Sequence, residues 1–197
     1  MNSIVRIMPD PKLRKEPVAL DFRSAMRHLV GGVSVITVGR GDETSGMTVT
    51  SVSSLSVEPA SLIVSVNRGA SSWPILQRER VFGINLLAAD QLEVAERFAG
   101  KGGVKGAERF AGAEWRRRAT GVPLLVGALA AFDCEVEDII ERHSHGIVIG
   151  RVLHVDAGSP AAALAYWQGD YLTVDRDEDM LKLATMSVPN PQSTRRF

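Results

Sequence analysis

The chain has 197 residues, of which 45% are hydrophobic and 23% are charged, a balance typical of one ordinary globular domain. Its 23 basic and 23 acidic residues cancel, so the basic surplus of a nucleic-acid-binding protein is absent, and no apolar run reaches the roughly 18 residues that span a membrane. The single cysteine, Cys134, excludes an intrachain disulfide and a paired-cysteine zinc or redox motif.

Both ends of the sequence are predicted to lie outside the folded domain, which we place at residues 21–175. Residues 1–20 contain three prolines and mixed charge, and residues 176–197 are charged and then rich in proline and serine. Such segments form arms that are disordered or that pack on a partner subunit. The first arm also lacks the continuous apolar region of a secretory signal, which makes the cytoplasm the expected location.

The first half of the domain is predicted to begin with a helix and to continue mainly as strands. The helix covers residues 21–30, with Asp21 as its N-cap and apolar side chains on one face. These side chains belong to Phe22, Ala25, Met26 and Leu29. Buried strands are predicted at residues 33–39, 61–67 and 81–87. A short helix is predicted to start at Ser72, because proline, here Pro74, is tolerated in a first helical turn.

The second half of the domain is predicted to hold one clear helix and two long strands. The helix covers residues 90–98, where Asp90 and Glu93 resemble a capping box. The long strands are predicted at residues 128–141 and 146–156, with a hairpin turn at 142–145 between them. A short alanine-rich helix is expected from Ser159, and residues 171–174 form the last predicted strand.

The number of strands predicts the fold class. Six or so strands separated by short helices favour a closed antiparallel barrel over a doubly wound α/β sheet. The glycine-rich phosphate motifs GxGxxG and GxxxxGK[ST] are both absent from the sequence. A nucleotide would therefore be held without either of the common phosphate-binding loops.

Small hydroxyl side chains are concentrated between residues 46 and 62. The segment GMTVTSVSSLSVEPASL contains seven serines and threonines at residues 48, 50, 51, 53, 54, 56 and 61. An exposed edge strand would also accept threonine and serine, although such strands usually carry lysine or glutamate. Small hydroxyls and backbone amides are equally suited to lining a pocket beside a flat polar ring. Composition alone leaves both interpretations open.

Five blocks of the sequence, in order, resemble one protein family. They are FRSAMRHLVGGVSVITV, GMTVTSVSSLSVEPASLIVSVNRGASSWPIL, VFGINLL, ERF and HSHGIVIGRV, and together they run from about residue 22 to residue 174. The order and the residues resemble the flavin reductase-like family, the reductase components of two-component flavin monooxygenases and their relatives. The resemblance implies a mainly β protein with short helices, a split β-barrel of the FMN-binding type.

The resemblance also implies an activity and partners. Family members bind FMN or FAD at a homodimer interface and transfer hydride from NADH or NADPH to the flavin. Many of them release the reduced flavin to a separate oxygenase. The implied partners of this chain are therefore a second copy of itself and a flavin-dependent oxygenase, with neither nucleic acid nor membrane.

The family motifs imply flavin contacts at four places in this sequence. Thr48, Val49, Thr50 and Ser51 match the segment beside the isoalloxazine ring. Ser65, Val66 and Asn67 match the next strand, which closes over the flavin. Ser71 and Ser72 match positions near the phosphate, in agreement with a predicted helix start that presents free N–H groups to an anion. Asn85 matches a position on the cofactor wall.

His145 is implied to contact the nicotinamide. The family has Gly-Asp-His at this point, whereas the chain reads His143-Ser144-His145, so the histidine matches and the acidic residue does not. Two histidines in a turn could also bind a metal or lie free on the surface, but a metal site needs a third ligand and none is evident nearby. Tyr171, in a Gly-Asp-Tyr that resembles the family Gly-Arg-Tyr, is a second candidate for the nicotinamide pocket.

No catalytic acid, base or nucleophile is expected, because in hydride transfer the cofactor performs the chemistry and the protein positions it. Two other functions fit the same residues. One is a flavin- or haem-binding carrier or sensor without reductase activity, favoured by the altered turn at residues 143–145. The other is a flavoenzyme that holds FMN tightly and reduces another acceptor.

Overall fold

The structure is a computed structural model that describes residues 19–175, and side chains from residue 22 onward. The predicted arms therefore lie outside the described residues, apart from the first two residues of the first helix. The α-helices are α1 (Ala19–Met26), α2 (Trp73–Glu79) and α3 (Leu92–Phe98). The strands are β1 (Gly31–Gly32), β2 (Ser34–Val38), β3 (Ser45–Val49), β4 (Ser53–Val57), β5 (Ala60–Asn67), β6 (Val81–Leu86), β7 (Trp115–Arg117), β8 (Pro123–Leu125), β9 (Ala130–Arg142), β10 (His145–Ala157), β11 (Ala163–Trp167) and β12 (Asp170–Val174).

Seven of the strands form one antiparallel sheet in the order β3-β2-β6-β9-β10-β5-β4. Its edge strands, β3 and β4, follow each other in the chain and are joined by residues 50–52, yet no ladder connects them within the described residues. We call this gap the split. The split barrel implied by the resemblance is confirmed. The closed barrel predicted from the number of strands is wrong, because the sheet is open between β3 and β4.

The core of the sheet follows from strand alternation. In β5, Leu62, Val64 and Val66 are buried, while Ile63 and Ser65 point to the opposite, more exposed face. This two-residue period is that of a strand with one buried face. Comparable residues of β2, β6, β9 and β10 complete the core. They include Ile36, Val38, Phe82, Ile84, Cys134 and Val148.

Cys134 is a fully buried strand residue. Burial, and to a smaller extent the adjacent Asp133 carboxylate, raises the pKa of its thiol to about 12. Asp133 is itself buried and accepts hydrogen bonds from the backbone N–H and the hydroxyl of Thr120. These two residues therefore have structural roles, because a thiol that stays protonated is a poor nucleophile.

Two predicted helices differ from the structure. The alanine-rich helix expected from Ser159 is wrong: residues 163–167 form β11, which pairs with both β1 and β12. Backbone pairing there overrides the helix preference of alanine. The capping box at Asp90 and Glu93 is also wrong, because a short 3₁₀ turn comes first and α3 starts at Leu92. The Gln91 side chain accepts the Ala88 N–H at 3.0 Å instead.

The first helix is shorter than predicted and its apolar face is not buried within the chain. It ends at Met26 rather than at residue 30. Phe22 and Leu29 are 62% and 65% exposed. Apolar side chains at helical spacing normally mark a buried face. We therefore expect this face to be covered by a second chain or by residues outside the described part of this one.

The described part of the chain contains no helix long and apolar enough to cross a membrane.

Candidate functional site

A cavity of about 370 Å³ lies beside the split, between β3, the end of α3 and the hairpin formed by β11 and β12. We call it the tyrosine cavity. It is lined by Val33, Thr48, Val49, Thr50, Ala99, Tyr166, Gly169 and Tyr171. The structure thus brings together four residues predicted for the site, three from the hydroxyl-rich segment and Tyr171 from the far end of the domain.

Helix α3 closes one side of this cavity because β3 allows a close approach. A Cβ atom on Gly46 would lie only 2.6 Å from the Phe98 ring, so glycine is needed where the helix packs on the strand. The Thr48 hydroxyl donates a hydrogen bond to the Ala95 carbonyl at 2.6 Å. That hydroxyl therefore fixes α3, and Thr48 offers its methyl group and backbone to a ligand.

Two tyrosines form the opposite wall. Tyr166 and Tyr171 are directly paired across β11 and β12, and their ring centroids lie 5.1 Å apart at an interplanar angle of 67°. Burial raises the pKa of Tyr171, and Tyr166 and Glu96 raise it further. The Tyr171 phenol therefore stays protonated around neutral pH and can donate a hydrogen bond. Sequence reasoning missed Tyr166, although its position opposite Tyr171 across a short turn could have indicated it.

Ser51 and Ser65 form a second group of predicted residues. The Ser51 hydroxyl donates to the Ser65 carbonyl at 3.0 Å and accepts the Ser65 N–H at 3.3 Å. The β4–β5 ladder ends where Ser53 of β4 pairs with Ile63 of β5. Beyond that point the Ser51 side chain supplies the hydrogen bonds that the backbone of Ser65 would otherwise lack. Both serines lie outside the tyrosine cavity. Val66 is fully buried in the core, so only its backbone could reach a ligand.

His145 is exposed on the surface of β10, outside the tyrosine cavity. It pairs with Asn67 across β5 and β10, and its Nδ1 lies 2.9 Å from the Ser144 hydroxyl. The turn is held by Arg68, whose backbone N–H and guanidinium bond the carbonyls of Ser144 and His143. Ser144, which replaces the family aspartate, thus orients the imidazole. Among residues 19–175 no cluster of three metal-binding side chains includes this turn.

The adjacent residues Ser71 and Ser72 differ in their exposure to solvent. The Ser72 hydroxyl is buried and donates to the Met47 sulfur at 3.9 Å. Ser71 is exposed, with its hydroxyl 3.5 Å from that of Ser45. At the start of α2 the Trp73 N–H already bonds the Ala70 carbonyl, and a proline follows it. The first two helical residues therefore have no free N–H for an anion. A phosphate near Ser71 and Ser72, which stays a prediction, would be bound by other donors.

Asn85 has a structural role in this chain. It is fully buried, its amide nitrogen donates to the Val35 carbonyl at 3.0 Å, and its amide oxygen accepts the Leu125 N–H at 2.7 Å. The side chain therefore joins β6 to β2 and β8. It does not line the tyrosine cavity. The position on the cofactor wall that the resemblance implies for Asn85 stays a prediction.

The tyrosine cavity fits a flat ring with polar edges. Its volume falls within the range of small-molecule pockets, about 300–1,000 Å³. Its lining has two aromatic faces, small side chains and no charged group. Glycine at position 31 allows β1 to approach Thr50 closely, because a Cβ atom there would lie 2.8 Å from that of Thr50. An isoalloxazine or nicotinamide ring has the shape and polarity that such a lining accepts.

Comparison with known proteins agrees with this geometry. The sequence profile of the family described as "Flavin reductase like domain" matches residues 26–175. The FMN reductase (NADH) RutF of Cronobacter sakazakii is 35% identical over 155 residues, which cover 79% of this chain and 92% of the relative. The FMN reductase (NADH) RutF 2 of Methylorubrum extorquens is 39% identical over 157 residues, covering 80% of this chain and 90% of the relative.

Two solved structures share the fold. BorF, the flavin reductase component of a bacterial two-component tryptophan halogenase, has a TM-score of 0.74 at 34% identity and covers 80% of this chain and 99% of its own. The NADH:FAD oxidoreductase SgcE6 of Streptomyces globisporus C-1027, in complex with NAD and FAD fragments, has a TM-score of 0.73 at 26% identity. That match covers 87% of this chain and 99% of SgcE6.

The structural role of Asn85 can be tested without a ligand. We expect Asn85→Ala to lower the free energy of unfolding of the flavin-free protein by about 2–4 kcal/mol, because two buried backbone groups lose their partner. Asn67→Ala is the matched control, since that exposed amide accepts only the Gly69 N–H in the described structure. Urea denaturation measures both. Equal and small losses of unfolding free energy in the two variants would contradict the structural role and would favour a cofactor contact for Asn85.

Proposed function

We propose that this chain, which belongs to the flavin reductase like domain family, transfers hydride from NADH to FMN or FAD. The observation that carries the proposal is the tyrosine cavity, uncharged and aromatic, built beside the hydroxyl-rich segment of β3. The relatives support the same reaction: RutF is named an FMN reductase that uses NADH, and SgcE6 an NADH:FAD oxidoreductase.

The chain's own residues position and shield the reactants. When bound, the flavin supplies the redox chemistry. Val49, Thr50 and the backbone of Thr48 would hold the ring from the β3 side, and Tyr166 and Tyr171 would shield it from water. The protonated Tyr171 phenol would supply a hydrogen-bond donor to a ring oxygen or nitrogen. Holding two rings in contact removes much of the entropic barrier to reaction, so no acid or base is needed.

His145 contacts the nicotinamide in this proposal. Its imidazole stands beside Asn67 at the end of the β5–β10 ladder, and Ser144 sets its orientation. The surface that carries Ser51, Ser65, Asn67 and His145 is separate from the tyrosine cavity of the same chain. A homodimer would bring this surface of one subunit to the cavity of the other.

Exposed apolar side chains support the homodimer. On the sheet, Leu55 and Ile147 are 52% and 36% exposed. Phe22 on α1 and Leu29, three residues after its end, are exposed to a greater degree. Monomeric proteins rarely expose apolar patches of this kind unless a partner covers them. A chain with no net charge also has little electrostatic resistance to self-association.

Reduced flavin then leaves for a second protein. BorF works as the reductase component of a two-component system, and a flavin-dependent oxygenase or halogenase is the corresponding partner here. The cytoplasmic location expected from the sequence stays a prediction.

The proposed reaction is tested by following NADH absorbance at 340 nm in the presence of FMN or FAD. We expect flavin-dependent oxidation of NADH. The absence of NADH oxidation with both flavins would contradict the proposal. Flavin that binds but is not reduced would indicate the carrier or sensor, and flavin that stays bound through gel filtration would indicate a flavoenzyme with another acceptor.

The same assay tests His145. We expect His145→Ala to raise KM for NADH about 3–10-fold, the value of one ordinary hydrogen bond, with a smaller effect on KM for the flavin. His143→Asn is the matched control, because His143 adopts a positive φ of 52° that asparagine tolerates. Equal effects of the two substitutions would contradict a specific role for His145.

The homodimer is tested by light scattering after gel filtration. The expected mass is twice the 21.3 kDa of one chain. Ile147→Glu should shift the protein toward the monomer, because it places a charge in the exposed apolar face of β10. A wild-type protein that elutes with the mass of one chain at micromolar concentration would contradict the dimer.

A further inference from the structure

A second cavity adjoins the tyrosine cavity. Its volume is about 390 Å³, and it lies between the end of α1 and the turn that joins β11 to β12. We call it the arginine pocket. It is lined by Arg23, Met26, Arg27, Leu29, Val30 and Gly31, by Thr50, and by residues 166–169. Thr50, Tyr166 and Gly169 line both cavities, so the two form one continuous cleft.

The two halves of this cleft differ in charge. No charged side chain lines the tyrosine cavity, whereas Arg23 and Arg27 line the arginine pocket, and none of the described residues that line this pocket is acidic. The two arginines are four residues apart, which places them on one face of the helical segment. Within the described part of the chain neither of them forms an ion pair.

Arg27 lies close to the boundary between the cavities. Its Nη2 is 4.0 Å from the point where a Cβ atom on Gly169 would stand, and Gly169 belongs to both linings. The backbone here is fixed by two hydrogen bonds. The Gln168 N–H donates to the Arg27 carbonyl at 3.0 Å, and the Trp167 indole N–H donates to the His28 carbonyl at 3.3 Å.

A guanidinium group binds phosphate well, because its planar donors match two phosphate oxygens at once. Two guanidinium groups beside a ring-sized, uncharged cavity therefore match a nucleotide, which carries a flat ring at one end and phosphate at the other. The serines at the start of α2 carry no charge, and the Ser72 hydroxyl is in addition buried against Met47.

We propose that the arginine pocket binds the phosphate-bearing part of a nucleotide substrate whose ring lies in the tyrosine cavity. This inference rests on the proposed function and adds the residues that select phosphorylated substrates. The phosphate belongs either to the flavin nucleotide or to the nicotinamide nucleotide. The chemistry recognised is the same in both cases, and kinetics with phosphate-free substrates distinguishes them.

The test compares two double variants with equal loss of charge. Arg23→Gln/Arg27→Gln removes both cations of the pocket. Arg116→Gln/Arg117→Gln is the matched control, because those arginines are exposed on β7 and line neither cavity. Steady-state rates are measured with riboflavin, FMN and FAD as acceptors. The donors are NADH and the phosphate-free 1-benzyl-1,4-dihydronicotinamide.

For the pocket variant we expect KM to rise about 10–100-fold for the phosphate-bearing substrate, the loss typical of charged hydrogen bonds. A rise for FMN and FAD but not for riboflavin assigns the phosphate to the flavin. A rise for NADH but not for the benzyl analogue assigns it to the nicotinamide nucleotide. The control variant should change no KM by more than about twofold.

Unchanged KM values for all substrates, or an equal rise for the phosphate-free compounds, would overturn the inference. An effect on unfolding alone would mean that the arginines only offset the negative end of α1. Calorimetric binding of FMN, riboflavin and ADP-ribose needs no turnover and separates the two proposals. A protein that does not oxidise NADH contradicts the proposed function. If its binding of FMN or ADP-ribose nevertheless requires Arg23 and Arg27, the phosphate site in the arginine pocket is still supported.

Discussion

The site depends on a break in hydrogen bonding between β3 and β4. The chain passes from one strand to the other through residues 50–52, yet the two strands lie at opposite edges of the seven-stranded sheet. An unpaired strand edge usually invites pairing with another molecule. Here Ser51 satisfies the backbone of Ser65 where β4 stops, so the break is stable without a further strand.

The surrounding elements are arranged around this break. Gly46 lets α3 pack directly on β3, and the Thr48 hydroxyl holds the helix there. On the other side β1 pairs with β11, which brings Tyr166 and its hairpin partner over the same strand. The cleft formed by the two cavities therefore has walls from four separate parts of the sequence, residues 23–33, 48–50, 99 and 166–171. Its two halves differ in charge because α1 ends beside the turn of that hairpin.

The sequence predicted the large elements and only part of the site. The predicted bounds of β5, β9 and β10 differ from the observed ones by at most two residues, and the turn at residues 142–145 was confirmed with them. The resemblance placed Thr48, Val49, Thr50 and Tyr171 at a site, and the structure brings these four into one cavity.

Other parts of the site could not be predicted because they depend on long-range pairing. β1 is only two glycines long and has no periodicity, yet it positions β11 and hence Tyr166. The alanines after Ser159 favour a helix locally and form a strand only because β1 and β12 pair with them. The two buried hydrogen bonds of Asn85 likewise join strands that are distant in the sequence, so its structural role could not be predicted from the residue alone.

Hydrogen–deuterium exchange of the wild-type protein with and without FMN tests the location of the ring site most directly. If the ring lies in the tyrosine cavity, FMN slows amide exchange in residues 48–51 and 166–171 and leaves residues 39–44, in the turn at the opposite end of β2 and β3, unchanged. Riboflavin should protect the same two segments, because the cavity recognises the ring. Protection confined to other parts of the chain, or no protection by FMN at concentrations that support turnover, would contradict a ring site beside the split.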